Sequence, residues 1–448
     1  MPYATIIIPT HNRAETLPLS VQSALAQTIE DIEVIIVGDG CTDEVRSVAR
    51  AFQSRDARVR FHDRPKGERH GAASRDEAIR TAMSERIFYN DDDDLLLSHH
   101  VETLGAALDD ADIVDTPAIS LHGGGGLSLG MHDTGWPVMR EMLVERKFKS
   151  IFDTHLAHRR SSYLRGSGAW LGVKAGGVAA HFLQVMAADA ENKWRTNFRM
   201  TALSLHGAHR IMMSASERAD ELRRVWSEFG GDGAEDKVRQ AATCAFHSLR
   251  LFGSLKARGI DVDDAILDDA RKLPLTSRQL VTMEAARNLA IGARPAEADA
   301  IAALDELLDA SLGSEWPTER VTRNYYSLFG PDAVERMLDQ CRPRLAVELA
   351  RLHLALCRGA PAPPPERILQ RTPPWQRFFV GVSILSGLVR AKDDRAWGLQ
   401  ENLSAQAPQS IQALSYWNLR ATLAEDRGEM KIAHHAKATA AEIRQLPY

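Results

Sequence analysis

Ile87-Phe88-Tyr89-Asn90-Asp91-Asp92-Asp93-Asp94-Leu95-Leu96-Leu97 sets four consecutive carboxylates between two apolar flanks. Two such charges about 4 Å apart repel by roughly 4 kcal/mol at an effective dielectric of about 20, so a fold that gathers them at a strand end gains from a cation. Carboxylate oxygens suit magnesium or manganese (Mg2+ or Mn2+) rather than zinc. These ions accept few protein ligands and usually bridge to substrate phosphates. A phosphate-bearing substrate is therefore expected. The competing reading is a solvated acidic turn that leads into a helix starting near Ser98.

Upstream, short β-branched runs alternate with helix-length amphipathic segments, the pattern of a parallel sheet with crossover helices. Strands are expected over Thr5-Ile8, Glu33-Val37, Arg58-His62 and Arg86-Tyr89, with helices near Glu15-Gln27, Asp43-Phe52 and Ala72-Met83. A polar cluster follows each strand: Pro9-Thr10-His11-Asn12-Arg13, Gly38-Asp39-Gly40, Asp63-Arg64-Pro65-Lys66-Gly67 and the aspartate run. Ligands bind at the carboxyl edge of such sheets, so the clusters should converge on one crevice. There His11 would stack on a base or merely begin a helix, and Asp39 would accept from a base N–H or a ribose hydroxyl. Arg64, Lys66, Arg69 and Arg75 would neutralise a diphosphate or simply sit as surface charges.

Three stretches, Ile6-Ile7-Ile8-Pro9-Thr10-His11-Asn12-Arg13-Ala14-Glu15-Thr16-Leu17, Ser23-Ala24-Leu25-Ala26-Gln27-Thr28 and Glu33-Val34-Ile35-Ile36-Val37-Gly38-Asp39-Gly40-Cys41-Thr42-Asp43, resemble the opening of family 2 glycosyltransferases. The aspartate run stands where that family carries its DXD motif. The resemblance covers roughly the first half of the chain. It implies a GT-A fold, a nucleotide-diphospho-sugar donor, expected to be a UDP-sugar, a divalent cation on the diphosphate, and transfer with inversion to a glycan, lipid-linked or protein acceptor. By the same resemblance Pro9, Thr10, His11, Asn12, Arg13, Asp39, Lys66, Arg75, Asp91 and Asp92 face the nucleotide-sugar. Asp93 is the metal position, with Asp91 second and His206 near metal and diphosphate. Gly38 departs from the usual aspartate, and Asp76 from the usual asparagine after Arg75.

An inverting transfer needs a base at the acceptor hydroxyl, normally a carboxylate at the head of a helix. Aligned on the family, that position falls on His181, with Asp189 and Glu191 as nearby alternatives. Histidine titrates near neutrality and can serve. The histidine in place of an acid also motivates a rival from another class: a catalytically impaired GT-A-fold nucleotide-binding or scaffolding protein acting through its C-terminal half. Residues 123–126 read as a glycine loop, and Trp170 as a sugar-packing or core tryptophan.

After Ser214 helical patterns continue to the end, broken at Gly230-Gly231-Asp232-Gly233, Pro274, Gly330-Pro331 and Ala360-Pro361-Ala362-Pro363-Pro364-Pro365. The fold class is thus an α/β N-terminal domain, Rossmann-like and mostly parallel, plus an all-α region forming a helical bundle or a short tetratricopeptide-like solenoid. The expected division is 1–213, a connecting helix and linker over 214–234, and a helical domain over 235–448 that offers a surface for a protein partner or a second copy. The net charge of −5 in 448 residues shows no basic stripe for nucleic acid. Cys41, Cys244, Cys341 and Cys357 make no metal-type pair and are read as reduced thiols. No stretch approaches a membrane span, and the apolar start is too short for a signal peptide, so a cytoplasmic protein is expected, at most peripheral to the inner face of a membrane.

Overall fold

In a computed structural model the described residues are 1–67, 71–122, 125–145, 153–166, 170, 178–205, 208–262, 267–268, 271–312, 318–408 and 413–445. The first half alternates as the sequence suggests: β1 (Ala4–Thr10), α1 (Leu17–Leu25), β2 (Ile32–Asp39), α2 (Asp43–Arg55), β3 (Val59–Arg64), α3 (Ala72–Thr81) and β4 (Arg86–Tyr89). β1 and β2 are buried along nearly their whole length, which explains their unbroken isoleucine and valine runs. Thr42 opens α2 by accepting from the Val45 amide, with Asp43 and Glu44 in the first turn where the helix dipole favours them.

The remaining elements of this half are β5 (Leu95–Leu96), α4 (His100–Ala107), β6 (Ile113–Asp115), β7 (Ile119–Leu121), β8 (Leu127–Leu129), α5 (Pro137–Val144), β9 (Leu156–Arg159), α6 (Arg160–Arg165), α7 (Val178–Ala188), β10 (Trp194–Thr196) and β11 (Ala202–Leu203). Seven strands form one sheet in the order β10-β6-β9-β4-β1-β2-β3. β9 alone runs antiparallel, between β4 and β6, so the other six strands end at one edge. At that edge β9 begins, preceded by a 3-10 turn, Asp153–His155. One face of the sheet packs Ile6, Ile8, Val34 and Ile36 against α1, α2 and α4; the other packs Ile7, Ile35, Ile87 and Tyr89 against α3, Tyr163 and Phe182.

A second, smaller ribbon links this sheet to the helical half. Ser204 bridges to Ser120 of β7, β7 pairs with β8, and Ser128 of β8 bridges to Thr243. The last junction is made by Leu129 N donating to the Thr243 carbonyl at 2.7 Å and Thr243 N to the Leu127 carbonyl at 2.8 Å. Thr243 lies two residues before the helix Ala245–Ala257, whose first amide, with that of the capping Cys244, donates to the buried Glu306 carboxylate. The apolar core follows the same route. Leu127, Leu129, Met200 and Leu205 share one cluster with Leu222, Phe252, Leu255 and Met283.

From α8 (Ala215–Phe229) onward the described chain is helical, and several of its turns fall at the glycines and prolines noted in the sequence. Gly231 and Gly233 adopt positive φ between α8 and Ala234–Ala241. Gly330 and Pro331 separate Thr318–Phe329 from Pro331–Gln340, and residues 359–364 separate Leu345–Arg358 from Pro365–Arg371. A second large core joins these helices through Leu304, Tyr325, Leu352, Phe378 and Tyr416. Leu414–Asp426 and Met430–Gln445 close the described chain as an antiparallel pair. Among the described residues no helix is long and apolar enough to cross a membrane.

Because Phe252 fills the core under β7 and β8 from the helical side, Phe252→Ala should cost about 3–5 kcal/mol. It should also speed amide hydrogen exchange at Leu127–Leu129; unchanged exchange there would mean that the helices do not support the ribbon.

Candidate active site at the carboxyl edge of the sheet

The aspartate run leaves the end of β4 as a tight turn, closed by the Asp94 amide donating to the Asp91 carbonyl at 3.0 Å. Its four carboxylates have separate surroundings. Asp94 is fully buried and accepts from Thr154 Oγ1 at 2.7 Å, Ser204 Oγ at 2.8 Å and the Leu205 amide at 2.8 Å. It fastens three segments, the turn before β9, the end of β11 and the run itself. Asp92 accepts from Thr10 Oγ1 at 2.7 Å and from Arg13 Nη1 at 2.6 Å. Asp93 accepts from the same Arg13 nitrogen at 2.8 Å and from Arg210 Nη1 at 3.1 Å. Arg210 is itself buried and pairs with Glu221 of α8 at 2.9 Å.

Asp91 differs. Its amide donates to Thr154 Oγ1, but no side-chain hydrogen bond to its carboxylate is found among the described residues. Burial, then the neighbouring Asp153 and Asp94, push its pKa well above the usual carboxylate range, and Arg75 is the main cation opposing them. A carboxyl group in that position favours either a proton or a cation. Among the described residues no set of three His, Cys, Asp or Glu side chains could hold an ion alone.

Arg75, on α3, lies over the Trp170 ring at 5.2 Å. Trp170 stacks on Phe182 at 4.6 Å and donates from Nε1 to the Tyr89 hydroxyl at 3.2 Å. That hydroxyl meets His158 Nε2 at 2.7 Å, while His158 Nδ1 faces the Arg159 carbonyl at 2.9 Å. The carbonyl requires the proton on Nδ1, so Nε2 accepts from Tyr89. Burial lowers the His158 pKa to about 4, in keeping with this neutral ring. The fully buried Trp170 is therefore part of an aromatic block under Arg75.

Asp39, at the end of β2, accepts from Lys66 Nζ at 2.7 Å and the Gly67 amide at 2.6 Å. Gly40 and Gly71 let the loop close on it. Both have positive φ, and a Cβ would lie 2.7 Å from the Lys66 side chain at the first and 3.0 Å from Asp39 at the second. The two departures from the family pattern are accounted for by packing. A Cβ at Gly38 would lie 2.9 Å from Cys41 Sγ and 3.0 Å from the Phe61 ring. Asp76 accepts from Tyr163 Oη at 2.7 Å and pairs with Arg80 at 2.7 Å. His11 is half-buried, and its Nδ1 has no hydrogen-bond partner among the described residues; Pro9 is half-buried and Asn12 exposed beside it.

The edge thus gathers Pro9 to Arg13, Asp39, Lys66, Arg75 and Asp91 to Asp93. It does not gather Asp189 and Glu191. Both follow α7 and precede β10, which runs parallel to β6, so they lie at the opposite edge of the sheet. There Asp189 accepts from the Glu191 amide at 3.0 Å, and Glu191 approaches Arg165 at 3.7 Å. His181 falls in the first turn of α7, next to Phe182 of the aromatic block; its side chain, and His206 altogether, lie outside the described residues. Sequence reasoning missed Asp153, Arg210 and Glu221. Asp153 lies in the turn just before β9, whereas Arg210 and Glu221 meet the run only through the tertiary fold.

The family model for glycosyl transferase family 2 matches residues 5–165. That segment belongs to the family. The glycosyltransferase GlyG of Streptococcus pneumoniae is 36% identical over 114 residues, 25% of this chain and 37% of that protein. The GalNAc(5)-diNAcBac-PP-undecaprenol beta-1,3-glucosyltransferase of Campylobacter jejuni is 30% identical over 104 residues, 23% of this chain and 34% of its own length. The chain therefore spans little more than a third of these curated relatives. Among solved structures, S. aureus TarS 1–349 aligns with a TM-score of 0.38 and 14% identity, over 78% of this chain and 91% of that one. The family 2 segment contains all the edge residues above except Arg210, Glu221 and the β11 contacts.

Asp94→Ala should leave the Thr154, Ser204 and Leu205 donors buried without an acceptor and cost about 3 kcal/mol or more. A lowered urea midpoint with an unchanged m-value would show it; an unshifted midpoint would remove Asp94 as the fastening point.

Proposed function

We propose that the protein is a metal-dependent inverting glycosyltransferase that transfers a sugar from a nucleotide-diphospho-sugar, a UDP-sugar, to a glycan, lipid-linked or protein acceptor. The observation that carries the reading is Asp91, a carboxyl group at the family's donor edge that stands among Asp153, Asp94 and Asp93 with Arg75 as its main counter-charge. Mg2+ or Mn2+ would be held by Asp91, with Asp93 joining when Arg13 or Arg210 yields, and would offset charge on the departing diphosphate. Arg75, braced by Trp170, serves the diphosphate side. Asp39, positioned by Lys66 and Gly67, accepts from the base, and His11 packs on it. Of the three base candidates, His181 is retained because α7 begins beside the aromatic block. Site, donor and acceptor assignments, and a cytoplasmic location at most peripheral to a membrane, form one proposal.

One observation favours the binding-protein alternative: Asp92 and Asp93 are each held at both oxygens by Thr10, Arg13 or Arg210. Calorimetric titration with UDP, GDP and dTDP, with and without manganese, decides the donor. Manganese-dependent binding of one nucleotide is expected, weakened at least about tenfold in Asp91→Asn. If none of them binds, the donor assignment fails. Turnover lost in His181→Ala and kept in His181→Asp supports the base, whereas equal, unchanged low activity in both supports the binding protein.

A further inference from the structure

Away from the sheet, three helices of the C-terminal half, Thr318–Phe329, Leu345–Arg358 and Pro374–Arg390, enclose a cleft of about 340 Å3. At its mouth Glu319 pairs with Arg323 Nε at 3.2 Å and with Arg390 Nε at 3.1 Å. Both guanidiniums approach this buried carboxylate through Nε, and among the described residues no partner is found for their Nη groups. Arg320 adds a third positive charge nearby: burial, then the repulsion of Arg323 and Arg390, lower its pKa. Two guanidiniums, those of Arg323 and Arg390, therefore share one carboxylate, an excess that an oxyanion would balance.

The floor of the cleft gives an independent indication. His353 is 1% exposed, its Nε2 lies 3.2 Å from Ser383 Oγ, and its buried Nδ1 has no hydrogen-bond partner. A buried polar atom left unpaired costs about 1–3 kcal/mol, so a ring nitrogen bordering a cleft is best explained by something that enters it. Gly387 packs close to this nitrogen, and any larger residue would fill the space beside it, since a Cβ there would lie 2.6 Å from Nδ1. Burial holds the imidazole neutral, with its pKa down to about 3, so the floor offers one uncharged donor or acceptor. A hydroxyl group satisfies either tautomer.

We propose that this cleft binds a small hydroxyl-bearing oxyanion, a sugar phosphate or sugar acid, with its anionic group on the Nη atoms of Arg323 and Arg390 and a hydroxyl on His353 Nδ1. The site is separate from the sheet edge and does not depend on the transferase reading.

The test uses the full chain and glucose 6-phosphate, gluconate and inorganic phosphate at matched ionic strength. Cys357 borders the cleft and is the exposed cysteine among three buried ones, so its rate of thiol labelling reports occupancy. Saturable calorimetric binding of glucose 6-phosphate or gluconate, with Cys357 labelling slowed at least about fivefold, is expected, and the tighter of the two identifies the anion. The double variant Arg323→Gln with Arg390→Gln should lose at least about tenfold in affinity. Should that protein fail to fold, Ser327→Trp obstructs the same cleft from an exposed position and should also abolish binding. Absence of binding, binding without protection of Cys357, or binding kept in the obstructed variant overturns the proposal. Inorganic phosphate bound as tightly as glucose 6-phosphate and gluconate overturns the His353 contact.

Discussion

A single buried carboxylate holds the site together. Asp94 is adjacent in sequence to three acids yet faces away from their crevice, accepting from the turn before β9 and from the end of β11. Without this anchorage four like charges in a row would spread into solvent, since each pair gains by separation. With it, one charge is absorbed into the fold and the other three are fixed at the sheet edge, each with a distinct environment. Thr154 illustrates the economy: its hydroxyl donates to Asp94 and accepts from the Asp91 amide, so one side chain sets the turn at both ends.

The arginines complete the arrangement by connecting distant parts of the chain. Arg13 comes from the loop after β1, and Arg210 from beyond β11, where it also pairs with Glu221 of the first long helix. The acidic run is thereby tied to both the start of the chain and the start of its helical half. Such buried charges are tolerable because each has a partner, and removing one partner would expose the full desolvation cost of the other.

Much of the architecture was legible in the sequence because it rests on local pattern. The apolar runs from Thr5, Glu33 and Arg86 became β1, β2 and β4 within one or two residues at most of their boundaries, and the polar clusters after them reached one edge because parallel strands must end together. Gly38 and Asp76 looked like departures from the family until their neighbours were visible: Cys41 and Phe61 occupy the space of a side chain, and Tyr163 and Arg80 supply the donors that a carboxylate wants. The misplacement of Asp189 and Glu191 has a physical origin too. Trp194–Thr196 is only three residues long and carries no readable alternation, so nothing in the local pattern revealed that the residues before it start a parallel strand at the far edge. Arg210 was beyond reach for a different reason, its contact with Asp93 spanning more than 100 residues, and Glu221 enters only as the partner of Arg210.

The ribbon that runs from Ser204 through β7 and β8 to Thr243 also bears on how the molecule can be divided. A two-stranded hairpin has unpaired amides and carbonyls along each outer side, and such edges recruit other chains. Here Ser204 covers one side and Thr243 the other, so the helical half contributes the final strand-like segment of the sheet half. A cut placed between the two halves by composition alone would leave Leu127–Leu129 as a bare apolar edge, and the excised sheet would carry a built-in site for self-association.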